Sequence, residues 1–408
     1  MKLNERFLAQ MREATILLES EGPMAATAAI QRALNAHSGP AGRPNQPAQG
    51  GRGAEPAEDA TPLPSTSDAG AARTDAWFDS IRRQAADAVQ DVEFREMEST
   101  ESGSVGSDSA DSAGSGRFLS GACSNSAGTR EYKLYVPRGY VGQPLPLIVM
   151  LHGCTQDPDD FAAGTGMNIL ADEQNFLVVY PAQSKNANTS NCWNWFQPTH
   201  QARDRGEPSL IADITRKVVR EYQVDERRIY VAGLSAGGAM AAVLGARYPD
   251  LYAAIGVHSG LPLGVARDVV SAFAAMKGGK GKASSRAATA HPPATLGHTI
   301  PVIVFHGDRD RTVHGSNGDK VLEQCIAAGD PACAKANVEV GMARGRRYTR
   351  AVHRDAQGRA YAEKWTVHGA GHAWAGGSKK GSYTDPGAPD ASREMVRFFL
   401  SHALPGSD

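Results

Sequence analysis

An excess of charge of either sign is missing from this chain: 43 Lys and Arg face 44 Asp and Glu in 408 residues, a formal net charge of −1. Without a basic surplus there is no electrostatic footprint for nucleic acid, which is excluded as an expected partner. Long apolar runs are missing too; none approaches the roughly 20 residues a membrane-spanning helix needs. Cysteine is scarce. Its five copies, Cys123, Cys154, Cys192, Cys325 and Cys333, include no C-x-x-C pair, which argues against zinc, and no metal or cofactor is implied. At the N-terminus Glu5, Arg6, Arg12 and Glu13 interrupt what would be the apolar core of a secretory signal, so a cytoplasmic location is expected.

Strand-like runs are also absent from roughly the first 130 residues, where composition suggests something other than a catalytic core. Residues 1–35 read as a helical hairpin broken at Glu21-Gly22-Pro23. Residues 36–72, rich in Pro, Gly and Ala, read as a disordered linker. Residues 73–98 read as an amphipathic helix, because Trp77, Ile81, Ala85 and Val89 recur on one face. A Ser/Gly/Asp-rich linker follows at 99–116.

What is present lies downstream. The apolar run Arg228-Ile229-Tyr230-Val231-Ala232 leads into Gly233-Leu234-Ser235-Ala236-Gly237 and then into the small-residue stretch Gly238 to Leu244. A strand, a sharp turn and a helix are written in that order, which is the setting of a nucleophile elbow. Serine is a weak nucleophile unless a base and an orienting acid accompany it. Leu145 to Leu151 reads as a buried strand entering His152-Gly153-Cys154-Thr155, where the Cys154 amide, paired with that of Ala236, makes an oxyanion hole. Ile300 to Phe305 is a second such strand, entering His306-Gly307-Asp308-Arg309-Asp310. Spacing after the glycine favours Asp310 as the acid, leaving Asp308 as a loop cap. Tyr361 to Val367 precedes His368-Gly369-Ala370-Gly371-His372, from which His372 is selected as the base over His368, His306 and His314; His152 belongs to the wrong loop and reads as structural. The chain order Ser, Asp, His fits an α/β fold with a mostly parallel sheet flanked by helices.

Five stretches together carry a more specific likeness: Leu151 to Gln156, Cys192-Trp193-Asn194-Trp195-Phe196, Gly233 to Met240, His258-Ser259-Gly260-Leu261-Pro262 and Gly371-His372-Ala373-Trp374. Residues 117–403 resemble the polyhydroxyalkanoate (poly(3-hydroxybutyrate)) depolymerase family of α/β-hydrolase esterases. The resemblance implies hydrolysis of short-chain polyhydroxyalkanoate through an acyl-serine intermediate, with feruloyl or acetyl esterase action on plant polysaccharide as the alternative and a non-catalytic granule protein as a third reading. It also implies that a granule surface is a partner, that an extracellular location like that of secreted members is the alternative to the cytoplasm, and that Cys154 and Cys192 could be bridged. Cys325 and Cys333 close a short loop that could be stapled as well. Trp193, Trp195 and Trp374 read either as core or as an apolar wall for the acyl chain. A flexible insertion is expected around 264–299, as a loop or a lid, and Asp390 to Phe399 as the closing helix.

Overall fold

The computed structural model describes residues 116–279, 291–327 and 335–406. The expected hairpin at 1–35, linker at 36–72 and amphipathic helix at 73–98, like most of the second linker, lie outside the described residues.

In chain order the strands are β1 (Arg117–Asn125), β2 (Gly128–Val136), β3 (Leu145–Leu151), β4 (Leu177–Pro181), β5 (Val224–Leu234), β6 (Ala254–His258), β7 (Val302–Gly307), β8 (Ala336–Ala343), β9 (Arg346–Arg354), β10 (Ala360–Val367), β11 (Trp374–Ala375) and β12 (Thr384–Asp385). The helices are α1 (Pro158–Thr165), α2 (Met167–Gln174), α3 (Gly206–Glu221), α4 (Ala236–Arg247), α5 (Val269–Met276), α6 (Ser316–Ile326) and α7 (Ala391–Phe399). Ten strands form one sheet in the order β1-β2-β4-β3-β5-β6-β7-β10-β9-β8, parallel from β4 to β10 and antiparallel at both edges. This is the α/β-hydrolase arrangement, extended at one edge by the β8–β9 hairpin.

The central strands β3, β4, β6 and β7 are buried at every position. That burial explains their uninterrupted apolar sequence, since parallel strands here are covered on both faces. Alternate side chains of β3 serve two cores. Leu147, Val149 and Leu151 pack with α3, α4 and α6, whereas Ile148 and Met150 pack with α1, α2 and α7. The closing helix runs from Asp390, whose carboxylate caps the Arg393 amide at 3.0 Å.

Part of the insertion expected around 264–299 is described. It contains α5, opened by a capping box between Asp268 and Ser271, and Leu263, Val265 and Ala266 before it are buried. Ala272 and Ala275 of α5 are buried against the domain, and residues 280–290 lie outside the described residues. Cys333 lies outside the described residues, so the expected staple to Cys325 does too.

Candidate active site

Chain connectivity reverses direction across the sheet between β3 and β5: the chain leaves β3 for β4 on one side and then returns to β5 on the other. Crevices open beyond the carboxyl ends of strands at such switch points. The loops after β3, β5, β7 and β10 all leave from that edge, and they carry Cys154, Ser235, Asp310 and His372 respectively.

Ser235 sits between β5 and α4 with φ 56° and ψ −115°, a conformation that side-chain-bearing residues avoid. Its amide donates to the His258 carbonyl at 2.9 Å, fixing the turn to β6. Glycine flanks are required on steric grounds. A Cβ at Gly237 would collide with the Leu151 and His152 carbonyls, and one at Gly233 with the Gly237 backbone. This close approach places the β3 exit loop directly beside the serine turn. The Ala236 amide is the first of α4, where helical N–H groups lack intrahelical acceptors. Neither it nor the Cys154 amide donates to another group among the described residues.

Asp310 and His372 are joined, Asp310 Oδ2 to His372 Nδ1 at 2.7 Å. The other carboxylate oxygen accepts from the amides of Thr312 (2.9 Å) and Val313 (2.8 Å). Burial alone would raise this carboxyl, but the neighbouring His372 and His306 rings and their hydrogen bonds outweigh it and hold the group well below the ordinary carboxylate range. An acid so held stays charged and can orient an imidazole. Among the described residues no hydrogen bond joins Ser235 to His372, a contact that often tightens only with substrate bound.

The histidines that were weighed against His372 have other work. His306 donates through Nε2 to the Val313 carbonyl at 2.8 Å, bracing the acid loop from within. His314 contacts Ser316. His152 donates through Nδ1 to the Gly153 carbonyl (2.8 Å) and accepts at Nε2 from the Gln183 amide (3.1 Å); burial lowers its pKa, in keeping with a neutral structural ring. Asp308 caps the Gly369 amide at 2.7 Å, as its loop-cap reading requires, and also holds His368 Nδ1 at 2.8 Å, a partner the sequence did not suggest.

Cys154 and Cys192 are bridged, tying the β3 exit loop to the Trp-rich loop. The apolar-wall reading of the tryptophans needs correction. Trp193, Trp195 and Trp374 are 0, 5 and 1% exposed, and such side chains offer no surface to an arriving chain. Trp374 stacks on His258 with ring centroids 5.0 Å apart and donates to Ser392 at 2.9 Å, while Trp193 packs on His152 at 5.6 Å. These rings are core, and what they support are the loops that bear the site.

Residues 130–344 match the family model described as esterase PHB depolymerase. The chain is 32% identical over 257 residues to poly(3-hydroxyalkanoate) depolymerase C of Paucimonas lemoignei, covering 62% of this chain and 58% of that protein. It is 28% identical over 255 residues to poly(3-hydroxybutyrate) depolymerase of Ralstonia pickettii, covering 57% and 48%. It is also 34% identical over 139 residues to feruloyl esterase B of Neurospora crassa, covering 34% and 46%. The chain thus spans about half the length of the curated relatives it matches.

Proposed function

We propose that this chain, which belongs to the esterase PHB depolymerase family, hydrolyses carboxylic esters, with short-chain polyhydroxyalkanoate as the substrate. The observation that carries this reading is the meeting, at one sheet edge, of a strained serine turn with a buried Asp310–His372 pair. In the proposed reaction His372 Nε2 takes the Ser235 proton as Oγ bonds to the ester carbonyl carbon. The amides of Cys154 and Ala236 donate to the resulting oxyanion. Collapse breaks the bond to the alkoxy oxygen, which leaves with the proton from His372. Water then repeats the sequence on the acyl-serine and releases the acid. The close relatives named for polyester cleavage support the substrate class.

Ser235→Ala is the test: loss of about 10³-fold or more in turnover is expected with folding unchanged. Near wild-type turnover in that variant would reject the mechanism.

A second reading, esters of plant polysaccharide, is favoured by one observation: the chain is also similar, over 139 residues, to feruloyl esterase B of Neurospora crassa. Parallel assays on amorphous polyhydroxybutyrate and on feruloyl and acetyl esters decide between the two. Granule attachment through residues 73–98 is proposed as well. Co-sedimentation of the full chain and of one beginning near Ser115 tests it, and equal binding would assign adhesion to the hydrolase domain. For location we keep the cytoplasm, with the extracellular alternative supported by the Cys154–Cys192 bridge, since disulfides persist in oxidising compartments. Cell fractionation separates these.

A further inference from the structure

A carboxylate taken out of water costs free energy unless donors surround it. Glu207, in the first turn of α3, is 0% exposed, and donors meet it from three segments. Oε2 accepts from the Asn194 amide at 2.7 Å; Oε1 accepts from Asn194 Nδ2 at 2.7 Å and Gln183 Nε2 at 2.6 Å, with Arg130 Nη2 farther off at 3.5 Å. None of these groups belongs to the triad, yet Gln183 and Asn194 each lead toward one peptide.

Two routes run from Glu207 to the Gly153–Cys154 peptide. Along the first, Gln183 is held by its side chain to Glu207, and its backbone amide donates to His152 Nε2 at 3.1 Å, so that His152 Nδ1 donates to the Gly153 carbonyl at 2.8 Å. A peptide unit is planar, so fixing the Gly153 carbonyl also fixes the direction of the Cys154 N–H on its opposite side. Along the second, Asn194 Oδ1 accepts from Asn188 Nδ2 at 3.0 Å, Asn188 Oδ1 accepts from the Cys192 amide at 3.2 Å, and Cys192 is bonded to Cys154. The Ser190 carbonyl also accepts from the Thr155 amide at 2.7 Å. The oxyanion loop is thereby gripped from both flanks, and both grips end on one carboxylate.

We infer that Glu207 is a positioning residue that aims the Cys154 amide at the developing oxyanion, an inference that rests on the esterase mechanism proposed above. Glu207→Gln keeps the shape but turns one acceptor oxygen into a donor facing donors. Removing an oxyanion donor outright costs about 10²–10³ in kcat, so misaiming one is expected to cost roughly tenfold to a hundredfold. The loss should fall on kcat for p-nitrophenyl butyrate with KM changed less than about twofold, because the amide acts chiefly in the transition state. Affinity for phenylboronic acid, whose tetrahedral adduct on Ser235 places an oxygen among the same amides, should fall in parallel. A side chain that served folding alone would lower Tm and leave kcat and boronate affinity of the folded protein unchanged; that result overturns the inference. If Glu207→Gln does not fold, Gln183→Ala, which removes the side-chain bonds to Glu207 and to the Cys192 carbonyl (2.8 Å) but spares those of Asn194 and Asn188, should show the same parallel loss at smaller size, and its absence there also overturns the inference. A wild-type protein inactive on the ester would instead remove the underlying mechanism, and the inference with it.

Discussion

The same two loops carry two Asp–His pairs of nearly equal geometry. Asp310 meets His372 at 2.7 Å and Asp308 meets His368 at 2.8 Å, each through Nδ1. Residue type and distance therefore do not tell them apart, but surroundings do. The Asp310 side chain is 0% exposed and that of Asp308 38%. The far nitrogen differs as well: His368 Nε2 is spent on Thr349 Oγ1 at 2.8 Å, whereas His372 Nε2 makes no hydrogen bond among the described residues. A carboxylate shielded from water acts strongly on its neighbours, and one facing solvent is screened. The second pair reads as a clasp between the β7 and β10 loops, reinforced by the Arg309 amide on the Ala370 carbonyl at 3.0 Å.

That contrast is broken most directly by exchanging the acids. Asp310→Asn should lower kcat on the order of 10⁴-fold, because the imidazole then settles in the wrong tautomer. Steady-state kinetics on a soluble ester checks this, and a loss smaller than that of Asp308→Asn would reverse the assignment. Enclosure can be attacked next through the bridge on the β3 exit loop. Cys154→Ser with Cys192→Ser frees a loop with a sequence separation of 38, and chain entropy puts the stability lost at about 4 kcal/mol. Denaturant unfolding reads it, and an unchanged midpoint would show that the bridge constrains nothing.

Acid offers a gentler probe of the buried rings. Burial pushes His258 down to about 3 and lowers His152, while an unfolded chain binds these protons near pH 6.5. The unfolded state therefore holds more protons between those values, so stability falls as pH drops below about 6.5. Asp310, whose folded pKa is depressed, adds its own loss only below about pH 4. Tm followed from pH 7.5 to 4.5 should hold above about pH 6.5 and decline below it, and a profile flat throughout would contradict the neutral rings. The smallest effect is expected from Asp308→Asn, a kcat change under about tenfold, since an amide oxygen can still cap Gly369.

Legibility in the sequence followed how local each signal is. Leu145 to Leu151 and Ile300 to Phe305 announced strands because both faces are buried, and Gly233 to Gly237 announced its turn because glycine is needed there for steric reasons alone. The pairing of Asp310 with His372 was readable from loop order. Glu207 was not. It lies within α3, 24 residues from Gln183, and its importance comes from burial, which no neighbouring residue in the sequence reports. The tryptophans stayed open between core and wall for a related reason: an aromatic beside such a loop in sequence can point either way, and Trp193 and Trp374 point inward. The β8–β9 hairpin was missed although Val338, Val340 and Met342 alternate along β8, because those side chains are exposed and mark no core face.

The backbone at Ser235 sets stability against use. A residue with a side chain at φ 56° and ψ −115° costs about 1–3 kcal/mol that glycine would largely spare. A thermostability screen blind to turnover would drift toward glycine at this position and report the change as an improvement. Laboratory evolution of a hardier variant must therefore select on ester cleavage at every round, since the strained turn is the first thing that selection for robustness alone would remove.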